Sequence, residues 1–598
     1  MSRIVRIGAA TAFFNDSRMG IAQLLEKADK LDYIIFDFLA ESVMGGLGRG
    51  MADGTGRGFA ADFADGYILP NLQTLLNRNI RVVGNAGGLD PGACAEALRR
   101  GAKALGLHPR IGVVAGDNLT ANLDSFVEAG TRDMFDGSSV LAKIQRADRV
   151  NSLVAYTGAF PIAAALGAGA DVVITGRAVD SALALGPLIH EFGWSPDDLD
   201  LLAAGTLAGH LLECSAQVTG GTFTDWREVP DWAGIGMPIG ECSADGGLVI
   251  TKPEGTGGLV SVGTVSEQLL YEVSDPQRYI VADVVCDFTA VTLTQVGPDR
   301  IEVKGARGLG RTGTYKASLT YDQGWRAAAL IPVIGLDAAA KAERVGEELF
   351  RRADTMLRQS QLPPLTRTRC DVIGGHGDEA TTAICRIVAD HPDRDGAQLL
   401  VREQASAISH MSVGISLGLG ASVRPVQWIS GFLLPKSSVS LTVTLDGDAV
   451  PFRQENEAIT HHADFPIPTL PPTACDAEPL YVVPLIRLAW ARSGDKGNLF
   501  NVAIIARQPE YLPYIAATLT PAAVGEHYGR ALSHAGAPNV KCFSVPGLSA
   551  LNFVVQDSMD GGVLAGTSID PVAKGMAQLL LDIPVPISSA LRQKLLDV

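Results

Sequence analysis

The sequence predicts an α/β protein: a large N-terminal domain with a mainly parallel sheet, a β-rich middle part, and a small α+β C-terminal domain. Three observations predict it. Short apolar runs alternate with longer amphipathic ones through the first two hundred residues. From about residue 255 the pattern turns to period-two alternation. A polar, proline-rich connector at 451–479 then isolates a last unit of about 115 residues. The predicted divisions are therefore 1–450, with a β-rich section at about 255–335, the linker 451–479, and 480–598.

Taken in order, IVRIGAATA (4–12), YIIFDFLA (33–40), IRVVGNAGG (80–88), RIGVVAGDN (110–118) and ADVVITGRAVD (170–180) read as buried parallel strands. They are continuously apolar and β-branched, and polar or glycine residues follow each. AQLLEKADKL, FADGYILPNLQTLLNRN and CAEALRRGAKALG between them read as helices. Whether the sheet is open or closed into a barrel stays undecided by the sequence. GTLAGHLLECSAQVTGGTF (205–223) reads as one helix ended by its glycines. The segments GGLVSVGTVSEQLL, YIVADVVCDFTAVTLTQV, DRIEVKGARGL and YKASLTYDQGWRAAALIPV read as strands, with Pro298-Asp299-Arg300 as a hairpin turn.

AAAKAERVGEELFRRADTML reads as an amphipathic helix, and AQLLVREQASAISHMSVGISLGLG as a second. CDVIGGHGDE between them reads as a strand running into a polar loop around His376 and Asp378, and VSLTVTLDGDAV as a strand pair. Past the linker the order is strand (PLIRLAWARSG), strand (NVAIIAR), helix (509–529), two strands joined by a Pro-Gly turn (540–555), and helix (PVAKGMAQLLLDI). A β-β-α-β-β-α order of that length predicts a ferredoxin-like sandwich.

Bulk chemistry narrows the function. With 49 basic and 65 acidic residues the net charge is −16, which disfavours nucleic acid or an anionic membrane as partner. No run of eighteen apolar residues is present, so no membrane-spanning helix is expected. The eight cysteines are scattered without C-x-x-C spacing, as expected of free thiols in the cytoplasm.

Ligand groups in parallel α/β sheets collect at the carboxyl ends of the strands. Here these ends carry Asn15 and Asp16, Asp37 and Glu41, Asn85 with Gly87 and Gly88, Asp117 and Asn118, and Arg177 with Asp180. Each residue type also suits a turn or helix cap, but five polar ends together exceed that need. His210, Glu213 and Gln217 share one face of the predicted 205–223 helix, either as a site or as a satisfied buried pair. Cys214 beside them is a candidate nucleophile or a small buried thiol. The hairpin ARSGDKGNLFNV places Arg492, Ser493, Asp495, Lys496 and Asn498 around two glycines. It is either an exposed turn or a segment reaching into the large domain's site.

NAGG (85–88), ITGRAVDSALALGP (174–187), GHLLECSAQVTGG (209–221) and SGDKGN (493–498), in this order, make the chain resemble the acyclic terpene utilisation A (AtuA) family over nearly its whole length. The resemblance implies catabolism of branched acyl chains, with coenzyme A entering as part of the substrate. The expected activity is a lyase cleaving a 3-hydroxy-3-alkylglutaryl-CoA-like thioester. The alternatives are a hydratase, a Cys214-dependent hydrolase or acyl-transferase, and a non-catalytic acyl-CoA-binding subunit.

A lyase of this kind needs a base, an oxyanion donor and a carboxylate clamp. Asp37, Glu41, Asp180 and Glu213 are the candidate bases, Arg177 the clamp, and the Gly87 and Gly88 amides the donors. Asn85, His210, Gln217, Ser493 and Asn498 are expected to bind substrate, and Asp495 with Lys496 to complete the chemistry. A divalent metal is compatible with such a reaction, with Asp37, Glu41, Asp117 and His210 able to supply ligands. GTGRGF (54–59) with Arg49 and Arg57 is a candidate contact for coenzyme A phosphates. A homo-oligomer is expected.

Overall fold

A computed structural model describes residues 3–375, 381–460, 481–532 and 538–596. The predicted His376–Asp378 cluster and most of the predicted linker lie outside the described residues. Five parallel strands form the centre of an eleven-stranded sheet. They are β1 (Ile4–Thr11), β2 (Tyr33–Phe36), β3 (Arg81–Gly84), β4 (Ile111–Ala115) and β6 (Val172–Thr175), in the spatial order 1-2-3-6-4. Antiparallel strands extend both sides. Ile239–Ser243 pairs with β1, and Thr442–Leu445 pairs with β4, so the predicted 439–450 strand pair returns to this first sheet.

The sheet is open, with helices on both faces. Alternate residues of one strand divide between two cores: Tyr33 and Ile35 face one, Ile34 and Phe36 the other. Strands buried on both faces must be apolar throughout, which is why their runs are uninterrupted in the sequence.

The strand β5 (Arg149–Ala155), which the sequence reading missed, lies in a second sheet. There it pairs with residues 317–322 of the 21-residue strand Thr314–Ile334. A bulge at 322–325, with Gly324 at φ 75°, divides that strand, and its second half pairs with Thr382–His391. A smaller sheet joins Tyr279–Ile280, Val285–Asp287, Arg307–Arg311 and Ile459–Thr460.

In the C-terminal unit the four-stranded antiparallel sheet runs Ala489–Lys496, Leu499–Ala506, Ala550–Val555, Val540–Val545. Phe500, Val502 and Ile504 face its own helices, whereas Ala503, Ile505 and Ala550 belong to the core of the large domain. The two parts thus share a core.

Several predicted elements differ. GGLVSVGTVSEQLL is not a strand: Val262–Leu269 is a helix started by a capping box between Ser261 and Thr264, which outweighs the apolar alternation. The 205–223 helix is Leu199–Leu212 and stops before the glycines, because Ser215 adopts φ 47° and continues as a 3-10 turn. PVAKGMAQLLLDI keeps one 3-10 turn, Ala577–Leu580; Asp570 ties the preceding loop by accepting N–H bonds from Lys574 (3.1 Å) and Gly575 (2.7 Å). The 397–420 helix ends at His410, and Gly414, at φ 94°, receives the N–H of Ile334 at 2.8 Å. Among the described residues no helix is long and apolar enough to cross a membrane.

Candidate active site at the domain interface

Four of the five parallel strands, β2, β3, β4 and β6, stop just short of a polar group and present it at the carboxyl end of the sheet. β2 ends at Phe36, leaving Asp37 buried in the following loop. Asn85, after β3, donates to Asp37 Oδ1 at 2.7 Å and accepts the Phe38 N–H at 2.7 Å, which fixes the carboxyl. After β6 the Arg177 backbone N–H donates to Asp117 at 2.7 Å, and its side chain pairs with Asp180. The Arg177 guanidinium also lies 4.3 Å from the centre of the Tyr156 ring. The Tyr156 hydroxyl donates to Glu41, which pairs with Lys316 at 3.3 Å.

The end of helix Leu199–Leu212 supplies the next layer. His210 Nδ1 lies 3.2 Å from Glu213 and its Nε2 donates to the Leu269 carbonyl at 3.0 Å. Both ring nitrogens face acceptors, and although burial opposes it, Glu213 raises the affinity of the imidazole for its second proton.

The C-terminal hairpin closes the layer from above. Ser493 to Lys496 are strand residues, and only Gly497 and Asn498 form the turn, Gly497 at φ 66°. Lys496 pairs with Glu272 at 2.6 Å. Asn501 donates to the Leu270 carbonyl at 2.8 Å, and Asn552 to those of Val273 at 2.8 Å and Ser274 at 2.9 Å. Strand residues of one domain therefore satisfy the irregular backbone of the other. Gly494 allows this approach: a Cβ there would lie 2.5 Å from Tyr271 and 2.6 Å from Glu272. Glu272 itself sits at φ 58°, and Ser215 (47°) and Ala573 (52°) flank the same cluster. Three such residues at one place store strain of about 1–3 kcal/mol each.

Burial and neighbouring charges divide the acids into two classes. Burial, reinforced by Asp180, raises Asp37 well above the usual carboxylate range. Burial and then Glu272 push Asp495 up to about 7. Asp117 is likewise pushed up to about 7 by burial. Burial raises Glu213 although His210 opposes it. Glu41 and Glu272 go the other way: burial is overcome by Lys316 for the first and Lys496 for the second, and both are held low. Carboxyls pushed up and carboxyls held low thus stand side by side, the arrangement that separates acid from base roles.

Pairwise electrostatic couplings link Asp37, Glu41, Arg177, Asp180, His210, Glu213, Asp495 and Lys496 into one network. Other expected residues hold these in place. Gln217, in a turn separate from the His210 helix, accepts from Arg492, and Ser493 ties the 573–577 loop through bonds to Ala573 (2.6 Å) and Ala577 (2.8 Å). Asn498 accepts the Gly561 N–H at 3.2 Å in the hairpin turn.

Several expectations are corrected. The Gly87 and Gly88 amides donate internally, to Thr175 at 3.0 Å and Asn85 at 3.4 Å, so they are not free oxyanion donors. Gly87 is required by packing instead: its Cβ would meet the Thr175 carbonyl at 2.6 Å and Pro91 at 2.7 Å. Asn15 and Asp16 are local, Asp16 accepting the Ala12 N–H at 2.8 Å. Arg49, in the helix Glu41–Ala52 ahead of the glycine-rich segment, pairs with Asp322. Burial and then Glu213 push the Cys214 thiol well above its ordinary value, which disfavours a thiolate nucleophile. Among the described residues no three His, Cys, Asp or Glu side chains are placed to hold a metal.

Tyr156, Tyr271, Glu272, Lys316, Arg492 and Lys574 also belong to the cluster. Tyr156 and Lys316 sit in ordinary β alternation, and Lys574 in a segment that reads as helix. The one sequence signal for Arg492 was its place in ARSGDKGN.

The profile of the acyclic terpene utilisation family protein AtuA matches residues 5–445, and that of the AtuA ferredoxin-like domain matches 483–586. No curated protein matches the chain. Two solved structures, amidases of the hydantoinase/carbamoylase family from Burkholderia multivorans and Burkholderia vietnamiensis, align at 11% identity and a TM-score of 0.14. Those alignments cover 19% of this chain and only 29% and 30% of theirs.

Proposed function

Since the chain belongs to the acyclic terpene utilisation AtuA family and carries its ferredoxin-like domain, we propose that it is a lyase cleaving a 3-hydroxy-3-alkylglutaryl-CoA-like thioester. The observation that carries this reading is Asp495. It is a carboxyl pushed up to about 7, beside an ionised Glu272–Lys496 pair, where two domains meet. A group that titrates near neutrality can both take and return a proton.

In the proposed reaction Asp495 removes the proton of the tertiary 3-hydroxyl. The C2–C3 bond breaks and its electron pair moves onto the thioester as an enolate. The former hydroxyl carbon becomes a ketone carrying the alkyl and carboxymethyl groups, and C2 takes up a proton to give acetyl-CoA. Lys496, whose affinity for its proton is raised by Glu272 against burial, supplies a fixed positive charge for the enolate oxygen. Asp37, raised well above the usual carboxylate range by burial and then Asp180, lies near Arg177 and is the carboxyl placed to offer a proton to a substrate oxygen. The Cys214 thiol takes no part.

The test is mass spectrometry of the full chain with 3-hydroxy-3-alkylglutaryl-CoA and 2,3-unsaturated branched acyl-CoA esters. Acetyl-CoA and a ketoacid are expected, with the rate falling on the order of 100-fold or more in Asp495→Asn and unchanged in Cys214→Ser. A mass change of one water would make the protein a hydratase. Binding without any turnover would leave only an acyl-CoA-binding role.

A further inference from the structure

Most cations of the cluster have a carboxylate of their own: Arg177 has Asp180, Lys316 has Glu41, and Lys496 has Glu272. Arg492 and Lys574 do not. Among the described residues no carboxylate oxygen lies within 4.0 Å of either.

Arg492 is only 5% exposed. It donates to the Gln217 side chain and, at 3.3 Å, to the Thr222 carbonyl, while its Nε is buried without a partner. Its guanidinium and the Lys574 ammonium each lie 4.3 Å from the centre of the Tyr271 ring, and Lys574 also donates to the Tyr271 hydroxyl. The acid whose titration Arg492 influences, Glu267, accepts the Thr224 N–H at 3.1 Å and is pushed up to about 8 by burial, so it is neutral near pH 7. Against burial, Lys574 feels Glu272, which Lys496 already pairs with, and Asp495. The buried Arg492 fork has no ionised carboxylate in contact, and an anion would supply one.

We propose that Arg492 and Lys574, with Gln217 positioning the guanidinium, form a carboxylate-binding subsite. It would hold the free acid end of the substrate while Asp495 and Lys496 act at the hydroxyl and thioester. This deepens the lyase reading and rests on it for the identity of the substrate. The guanidinium fork binds carboxylate and phosphate alike. The carboxylate is chosen because the lyase reading gives the substrate a free acid end, and phosphate is the competing ligand in the test. Lys574 belongs to an exposed loop, which gives the anion a route from solvent.

The experiment is calorimetric titration of the full chain with 3-hydroxy-3-methylglutarate, with the monocarboxylate 3-hydroxy-3-methylbutyrate, and with inorganic phosphate. Arg492→Lys and Lys574→Met run beside the wild type, with thermal melts to confirm folding. The diacid is expected to bind, about tenfold or more weaker in each folded variant, and to bind better than the monocarboxylate or phosphate. Equal diacid affinity in wild type and folded variants, or equal binding of phosphate, would overturn the subsite. With the CoA ester, KM is expected to rise more than kcat falls in Lys574→Met. If diacid binding weakens in the variants but no ester is cleaved by the wild type, the subsite stands and the lyase reading falls. Cleavage with unchanged KM in both variants would do the reverse.

Discussion

Asp495 ties activity and stability to pH in opposite directions. As a base it must be ionised, so turnover of a substrate ester is expected to rise with pH up to about 7 and then level, and Asp495→Asn abolishes that limb. Stability runs the other way. The folded chain holds this proton up to about 7, whereas an unfolded aspartate releases it near 4. The contribution is fully present below about pH 4 and is lost as pH rises to about 7. Urea unfolding at pH 4.5 and 8 should therefore show the wild type losing about 1–3 kcal/mol more than Asp495→Asn across that interval. An equal loss in both would show that Asp495 titrates normally. At this scale the sequence was informative where chemistry was concentrated, as in SGDKGN. It was silent about Tyr156 and Lys316, whose strands look like any others until the fold aligns them.

Two elements carry the interface. In the hairpin, Gly494 packs its bare backbone against Tyr271 and Glu272, so Gly494→Ala must move one of them. The expected cost is about 1–3 kcal/mol of stability together with lost turnover, read by thermal melts and assay. The helix Val262–Leu269 leads directly into the residues that the hairpin contacts. Removing its cap with Ser261→Ala should cost about 1 kcal/mol in denaturant unfolding. This helix was misread because GGLVSVGTV alternates like a strand, while the Ser261–Thr264 capping signal occupies only two positions. The parallel strands were legible for the opposite reason: five uninterrupted apolar runs leave little else for them to be.

On the scale of the whole molecule, the small sheet is buried on both faces, by its own helices and by the large domain. Hydrophobic periodicity reports that a face is buried, never against what, so the sequence revealed the small fold but not its place. Residues 1–460 expressed alone should expose the apolar surface that Ala503, Ile505 and Ala550 cover. Such a fragment is expected to bind a hydrophobic dye strongly and to turn over no ester. Adding residues 481–598 in trans should quench the dye and restore activity. A dark, active 1–460 fragment would mean that the shared core is dispensable.

The contact between Asn501, Asn552 and the backbone of residues 270–274 also has a consequence during synthesis. The ribosome makes the large domain first, and until residues 496–552 emerge the carbonyls of Leu270 and Val273 lack these amide donors and Glu272 lacks Lys496. The growing polypeptide is thus incomplete at its candidate active site until the C-terminal unit has been made. A truncated product would show chaperones and proteases an unsatisfied, apolar face. Quality control and the onset of function would then be read from the same surface.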